Sequence, residues 1–157
     1  MTGTLNPGDP APDFSLPSGP DGTQSLAALR GRKVILYFYP RADTPGCTRE
    51  AMDFSRLRKA FAAAGTEVIG ISADPEAALE KFRKKHGLSV TLAADPELET
   101  LKAYGVWSEK NMYGRKFMGI VRTTFLIDAD GRIAQVWRNV RVPGHAEQVL
   151  AAAKSLG

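Results

Sequence analysis

Apolar and polar positions along this chain follow two rhythms. Lys33 to Tyr39 is an unbroken β-branched and aromatic run, the pattern of a strand covered on both faces, and Pro40 ends it. Phe54, Leu57, Phe61 and Ala64 then recur at three- and four-residue spacing. They predict one amphipathic helix that starts at Thr44-Pro45 and stops at Gly65. Val68–Ile71 is a second buried strand. Asp74-Pro75 opens a helix with Ala78, Leu79 and Phe82 inward and Gly87 after it. A short strand follows, and Asp95-Pro96 repeats the device with Leu98, Leu101, Tyr104 and Gly105. Val121–Ile127 and Arg132–Trp137 flank Asp128-Ala-Asp-Gly131 as a hairpin. His145–Leu156 closes the chain as a helix with Val149, Leu150 and Ala153 apolar.

Before Leu29 the pattern is different. Pro7, Pro10, Pro12, Pro17 and Pro20 exclude a helix, and Phe14 and Leu16 allow a short edge strand. Strands that alternate with helices predict an α/β fold: a parallel centre with right-handed crossovers, an antiparallel edge from the last hairpin, and helices on both faces. No repeat or long linker divides the 157 residues, so a single domain over 1–157 is expected.

Composition narrows the function. The hydrophobic share is 43% and the charged share 24%, ordinary for a folded chain and unlike a disordered one. The formal charge is +4, but the basic residues are interleaved with acids, so no nucleic-acid partner is expected. No run approaches the roughly 20 apolar residues of a membrane span. The opening residues lack the basic and apolar regions of a signal peptide. The chain has one cysteine, which excludes an internal disulfide and a CxxC pair and points to a reducing cytoplasm. One Cys and two His, His86 and His145, cannot build a zinc site, so no metal is expected. Both histidines read as surface residues, and Tyr39 and Trp107 as packing.

The single cysteine is the chemical candidate. Cys47 follows the first buried strand, and open α/β sheets collect ligands at the carboxyl ends of their strands. It also falls in the first turn of the expected helix, where free N–H groups and the macrodipole favour an anion such as a thiolate. Most lone cysteines are buried filler. This one lies in a polar Thr-Pro-Gly-Cys-Thr loop, and that favours reactivity.

Pro40-x-x-x-Thr44-x-x-Cys47 resembles the peroxidatic signature of peroxiredoxins. The longer string from Tyr37 to Thr48, the segment Tyr104–Trp107 leading to Tyr113-Gly114 and Gly119–Asp128, and the opening Gly8–Phe14 are similar to the bacterioferritin-comigratory, or PrxQ, subfamily. The resemblance covers nearly the whole chain. It implies a thioredoxin-like fold with a central mixed sheet, helices on both faces and a peroxiredoxin-type N-terminal extension. It implies a thiol-dependent peroxidase without a cofactor. Cys47 is then the nucleophile that attacks a hydroperoxide and becomes a sulfenic acid. Thr44 is expected to hydrogen-bond the sulfur and the peroxide. Arg122 stabilises thiolate and transition state. Pro40 shields the site, the N–H groups of Gly46 and Cys47 bind peroxide, and Glu50 orients an arginine. Tyr39, Phe117 and Met118 are apolar candidates for admitting alkyl hydroperoxides. A monomer or weak dimer is expected.

The chain departs from its subfamily in one respect. Many members carry a resolving cysteine five residues after the first, where this chain has Met52, or in the helix after the second strand, where it reads Lys81–Lys85. With one cysteine the sulfenic acid must be reduced by an external thiol: thioredoxin, glutaredoxin or a low-molecular-weight thiol. The alternative is a peroxide sensor or holdase that uses Cys47 as a redox switch.

Overall fold

The computed structural model describes residues 5–156. Met1 to Thr4, read above for a targeting signal, and both ends of the 1–157 domain estimate lie outside them. The strands are β1 (Ser15–Pro17), β2 (Thr23–Ser25), β3 (Lys33–Phe38), β4 (Thr66–Ser72), β5 (Thr91–Ala94), β6 (Trp107–Met112), β7 (Arg115–Ile120), β8 (Thr123–Ile127) and β9 (Ile133–Arg138). The helices are α1 (Pro45–Arg56), α2 (Arg58–Ala63), α3 (Glu76–His86), α4 (Glu99–Ala103) and α5 (His145–Ser155). Gly65, Gly87 and Gly105 all take positive φ where a helix has ended, as the sequence predicts.

Five strands form the central sheet in the order β5-β4-β3-β8-β9. β3, β4 and β5 are parallel, and β8 and β9 extend the sheet antiparallel, so it is the mixed sheet expected. β3 is the middle strand, and the alternation of its side chains splits the core in two. Ile35, Tyr37 and Tyr39 face α1, α2, α3 and α5 with Phe54, Phe61, Phe82 and Val149. Val34, Leu36 and Phe38 face α4 and the N-terminal segment with Phe14, Leu16, Leu26, Leu101 and Tyr104. The Tyr104 hydroxyl donates to the Pro12 carbonyl at 2.6 Å and fastens that segment to its face.

Four expectations need correction. The single long helix is broken at Leu57, which leaves the helical region at φ −95°, ψ 3°, so α1 and α2 share one apolar stripe across a bend. The short strand expected near Phe14 forms as β1, but it pairs with β2 in a separate small hairpin and is not an edge of the central sheet. β6 and β7 form a further hairpin where no strands were predicted. Its turn is Tyr113-Gly114, both residues at positive φ, as a two-residue turn of mirror-image type requires. Its strands are mostly exposed, so no apolar alternation marked them. Finally, the N-cap of α3 is Pro75 rather than Asp74. The Asp74 carboxylate instead accepts the Ser72 hydroxyl and the Ala42 N–H, each at 2.8 Å.

Candidate active site

The topology assembles the site at one end of β3. β3 runs into the loop 39–44, and α1 begins at Pro45. Because β8 is antiparallel to β3 and Thr123 pairs with Phe38, the start of β8 lies beside the end of β3. Arg122 immediately precedes β8, and its carbonyl accepts the Val140 N–H at 3.0 Å, which holds the backbone there. A residue 75 positions away from the cysteine is thus delivered to it.

Cys47 is buried, at 1% exposure, and Arg122 Nη2 lies 3.3 Å from its sulfur. Nη1 of the same guanidinium donates to Glu50 Oε1 at 2.6 Å. Glu50 sits one helical turn after Cys47, so both present to Arg122 from the same face of α1. Glu50 is itself 1% exposed, and its Oε2 has no hydrogen-bond partner among the described residues. Burial pushes the Glu50 carboxyl up to about 7, outweighing the opposing pull of Arg122. For Arg122, burial pulls downward, but Glu50 and Cys47 overcome it, and the guanidinium stays firmly charged. The fork therefore holds a fixed positive charge on the sulfur.

Gly46 has a role that spacing did not disclose. A Cβ there would stand 3.2 Å from Arg122 Nη2. Glycine leaves the room through which the guanidinium reaches Cys47. The Thr48 N–H closes onto the Thr44 carbonyl at 2.8 Å, so the N–H groups of Gly46 and Cys47 belong to the open first turn of α1. Thr44 occupies the N-cap position, but its hydroxyl makes no capping bond. It donates to the Arg41 carbonyl at 2.8 Å, and the hydrogen bond to sulfur expected from the sequence is not formed. The short reach back to residue 41 satisfies the donor before sulfur can.

Pro40 and Arg122 line a cleft of about 520 Å³ with Lys110, Met112, Phe117, Val121 and Val140. Of the three apolar candidates, Phe117 lines it; Tyr39 is buried against Phe82 and Tyr37, and Met118 lies outside the cleft. Lys110 was not anticipated, because it belongs to the unpredicted β6–β7 hairpin. Burial lowers its pKa, aided by Arg122. Asp74 was read only as a helix cap, yet it fastens the Cys47 loop through the Ala42 N–H.

The histidines also differ from the surface reading. His145 is buried, with Nε2 2.8 Å from Thr124 Oγ1 and its ring edge-on to Phe54 and Trp137. Burial, with Arg122 adding to it, lowers its pKa to about 4. His86 is half-buried, and its Nε2 lies 2.8 Å from Asp43 Oδ1. No group of His, Cys, Asp and Glu among the described residues has the makings of a metal site, and no described helix is long and apolar enough to cross a membrane.

A buried cysteine thiol thus stands under an arginine fork at the first turn of a helix, an arrangement that can hold a thiolate. Residues 7–136 match the model of the AhpC/TSA family. A Mycobacterium tuberculosis protein named as a peroxiredoxin is 46% identical over 148 residues, 94% of each chain. Xanthomonas campestris peroxiredoxin Bcp is 43% identical, covering 93% of this chain and 92% of its own. The structure of the Xanthomonas campestris bacterioferritin comigratory protein, described for its alkyl peroxide reduction, superimposes with a TM-score of 0.90 at 36% identity, covering 100% of this chain and 99% of that one. The chain belongs to the AhpC/TSA family, as a peroxiredoxin of the Bcp/PrxQ type. It is accordingly a thiol-dependent peroxidase.

Proposed function

We propose that the chain acts as a single-domain, one-cysteine peroxidase that reduces hydrogen peroxide and organic hydroperoxides through Cys47. The observation that carries this reading is the 3.3 Å approach of Arg122 Nη2 to the sulfur in a chain with no second cysteine. The Cys47 thiolate attacks the terminal peroxide oxygen. The O–O bond breaks, the S–O bond forms, and the departing oxygen leaves as water or an alcohol once protonated. Arg122 and the first-turn N–H groups of Gly46 and Cys47 face the charge that develops on oxygen. The Thr44 hydroxyl proton is already committed to the Arg41 carbonyl, so its oxygen is left to accept the hydrogen of an incoming hydroperoxide. Pro40 closes one wall, and Glu50 sets the angle of the guanidinium. Met112, Phe117, Val121 and Val140 give the cleft an apolar side suited to an alkyl group.

The sulfenic acid is reduced by an external thiol. No thiol stands at Met52 or anywhere along α3, so an intramolecular disulfide is ruled out. Because Cys47 is buried, that reduction requires the first turn of α1 to loosen. The first turn of α1 has no side-chain cap from Thr44 to hold it. The protein is read as a cytoplasmic monomer or weak dimer.

The test is steady-state peroxide consumption with dithiothreitol as the external thiol, using hydrogen peroxide and cumene hydroperoxide. Multiple turnovers with both peroxides, absent in Cys47→Ser, are expected. Consumption no faster than that of dithiothreitol alone would overturn the reading.

A further inference from the structure

A second groove lies beside the loop that leads into Cys47, and it shares no lining residue with the cleft of Pro40 and Arg122. Arg41, Ala42 and Asp43 form one wall, and Ala78, Lys81, Phe82, Lys84 and Lys85 of α3 the other. Its volume is about 500 Å³, within the roughly 300–1,000 Å³ typical of small-molecule sites. Four cations line it against two carboxylates, Asp43 and Asp74. Both carboxylates are already engaged. Asp43 is held by Lys85 at 2.8 Å and by His86 at 2.8 Å, and Asp74 by the Ser72 hydroxyl and the Ala42 N–H. Arg41 and Lys81 have no ion pair among the described residues. The groove is therefore electropositive, with an apolar floor in Ala78 and Phe82.

We propose that this groove binds a low-molecular-weight thiol bearing carboxylates, such as a small peptide thiol, and presents it to oxidised Cys47. The proposal deepens the one-cysteine reading by assigning the class of reductant. Two features favour a small anion over an apolar ligand: the unpaired Arg41 and Lys81, and the excess of positive charge at the rim. The groove adjoins the segment that must move. Arg41 carries the carbonyl that holds Thr44, and Thr44 leads into the uncapped first turn. A carboxylate arriving at Lys85 competes with Asp43, which sits at φ +61° in a strained conformation and ties this loop to α3. Binding would thus loosen the turn that buries the sulfur.

The chemistry balances with two thiols. The first attacks the sulfenic sulfur: an S–S bond forms, the S–O bond breaks, and the thiol proton leaves with hydroxide as water. The second attacks the mixed disulfide, releases Cys47 as a thiolate and departs as the disulfide of the small thiol. The two electrons that reduced the peroxide come from these two thiols.

Two measurements decide the proposal. The first titrates S-methylglutathione, which cannot react, into the reduced protein and follows backbone amide resonances. Shifts centred on Arg41, Lys81 and Lys84 that weaken with salt are expected; no shifts, or shifts elsewhere, overturn the site. The second forms the Cys47 sulfenic acid with one equivalent of peroxide, then reduces it with glutathione or with its diethyl ester, which has the same thiol but masked carboxylates. Glutathione should be faster by on the order of tenfold, a modest electrostatic steering effect. Lys81→Glu with Lys84→Glu should abolish that advantage and leave oxidation by peroxide unchanged, and the milder Lys81→Gln should reduce it. Equal rates for acid and ester, or an advantage that survives charge reversal, contradict the proposal. If peroxide yields no sulfenic acid, the peroxidase reading itself fails, while the titration still decides the groove.

Discussion

The absent side chain of Gly46 lets the Arg122 guanidinium reach Cys47: a Cβ at position 46 would stand 3.2 Å from Nη2, which in turn lies 3.3 Å from the sulfur. Gly46→Ala should therefore push the guanidinium aside by a few tenths of an ångström. Misplacements approaching 1 Å cost about 100-fold in rate, so a loss of about 3- to 20-fold in Cys47 oxidation is expected. Alanine is the better helix former, by up to about 1 kcal/mol, so the melting temperature should hold or rise. Stopped-flow oxidation beside a thermal melt checks both. Parallel losses of activity and stability would show that Gly46 serves folding instead.

On the proposed reading, Glu50 acts through Arg122. Its Oε1 fixes the fork at 2.6 Å from inside the protein. Glu50→Ala should leave the guanidinium without its anchor, slow Cys47 oxidation by about 10- to 100-fold, and cost about 1–3 kcal/mol of stability for the partner left unpaired. Glu50→Gln keeps an acceptor and should recover much of the rate. Equal rates for the two variants would remove the positioning role.

The two buried titratable groups near the site pull stability in opposite directions with pH. Glu50 is raised to about 7, so the folded state holds its proton more tightly than the unfolded chain. Its contribution is present below the ordinary Glu value of about 4.5 and is lost as pH rises through about 7. His145 is lowered to about 4, so its contribution is present above about 6.5 and is lost as pH falls through about 4. Denaturant unfolding from pH 4 to 8 should show Glu50→Gln losing less stability than the parent as pH rises from 5 to 8. His145→Gln should lose less as pH falls from 6.5 to 4. Unchanged slopes in both variants would contradict the assignments.

The sequence disclosed the elements whose pattern is set by burial and hid those set by something else. β3 and β4 are covered on both faces, and a continuous apolar run can mean little else at that length. β6 and β7 were missed because eleven of their twelve positions are exposed or only half-buried; the one signal was the Tyr113-Gly114 turn. Cys47 was legible from its helix-start loop, and Arg122 only through the family resemblance, since nothing local marks an arginine before a strand as a ligand. The pairing of Arg122 with Glu50 required the register of β8 on β3. His145 was misread because its partner, Thr124, lies 21 residues away on the central sheet. Thr44 was read correctly as a helix start, but its hydroxyl followed the nearer carbonyl.

On the proposed one-cysteine mechanism, a sulfenic acid at Cys47 has no second thiol in the chain to capture it. A second peroxide converts it to sulfinic acid, which is generally irreversible. Turnover with limiting thiol and excess hydrogen peroxide should decline progressively, with a mass gain of two oxygens at Cys47. Placing a thiol five residues on, as Met52→Cys, puts it on the exposed side of α1 and should slow this inactivation several-fold. Stable turnover of the parent chain without added thiol would contradict the one-cysteine account.

The most direct test of the central claim is the intact mass of the reduced protein after one equivalent of hydrogen peroxide with a sulfenic-acid trap present, beside Cys47→Ser and Arg122→Ala. Rapid stoichiometric trapping at Cys47 is expected. It should be absent in Cys47→Ser and slowed by about 100- to 1,000-fold in Arg122→Ala, the usual loss when a single preorganised donor is removed. Oxidation as slow as that of an ordinary free thiol, and indifferent to Arg122, would contradict the account.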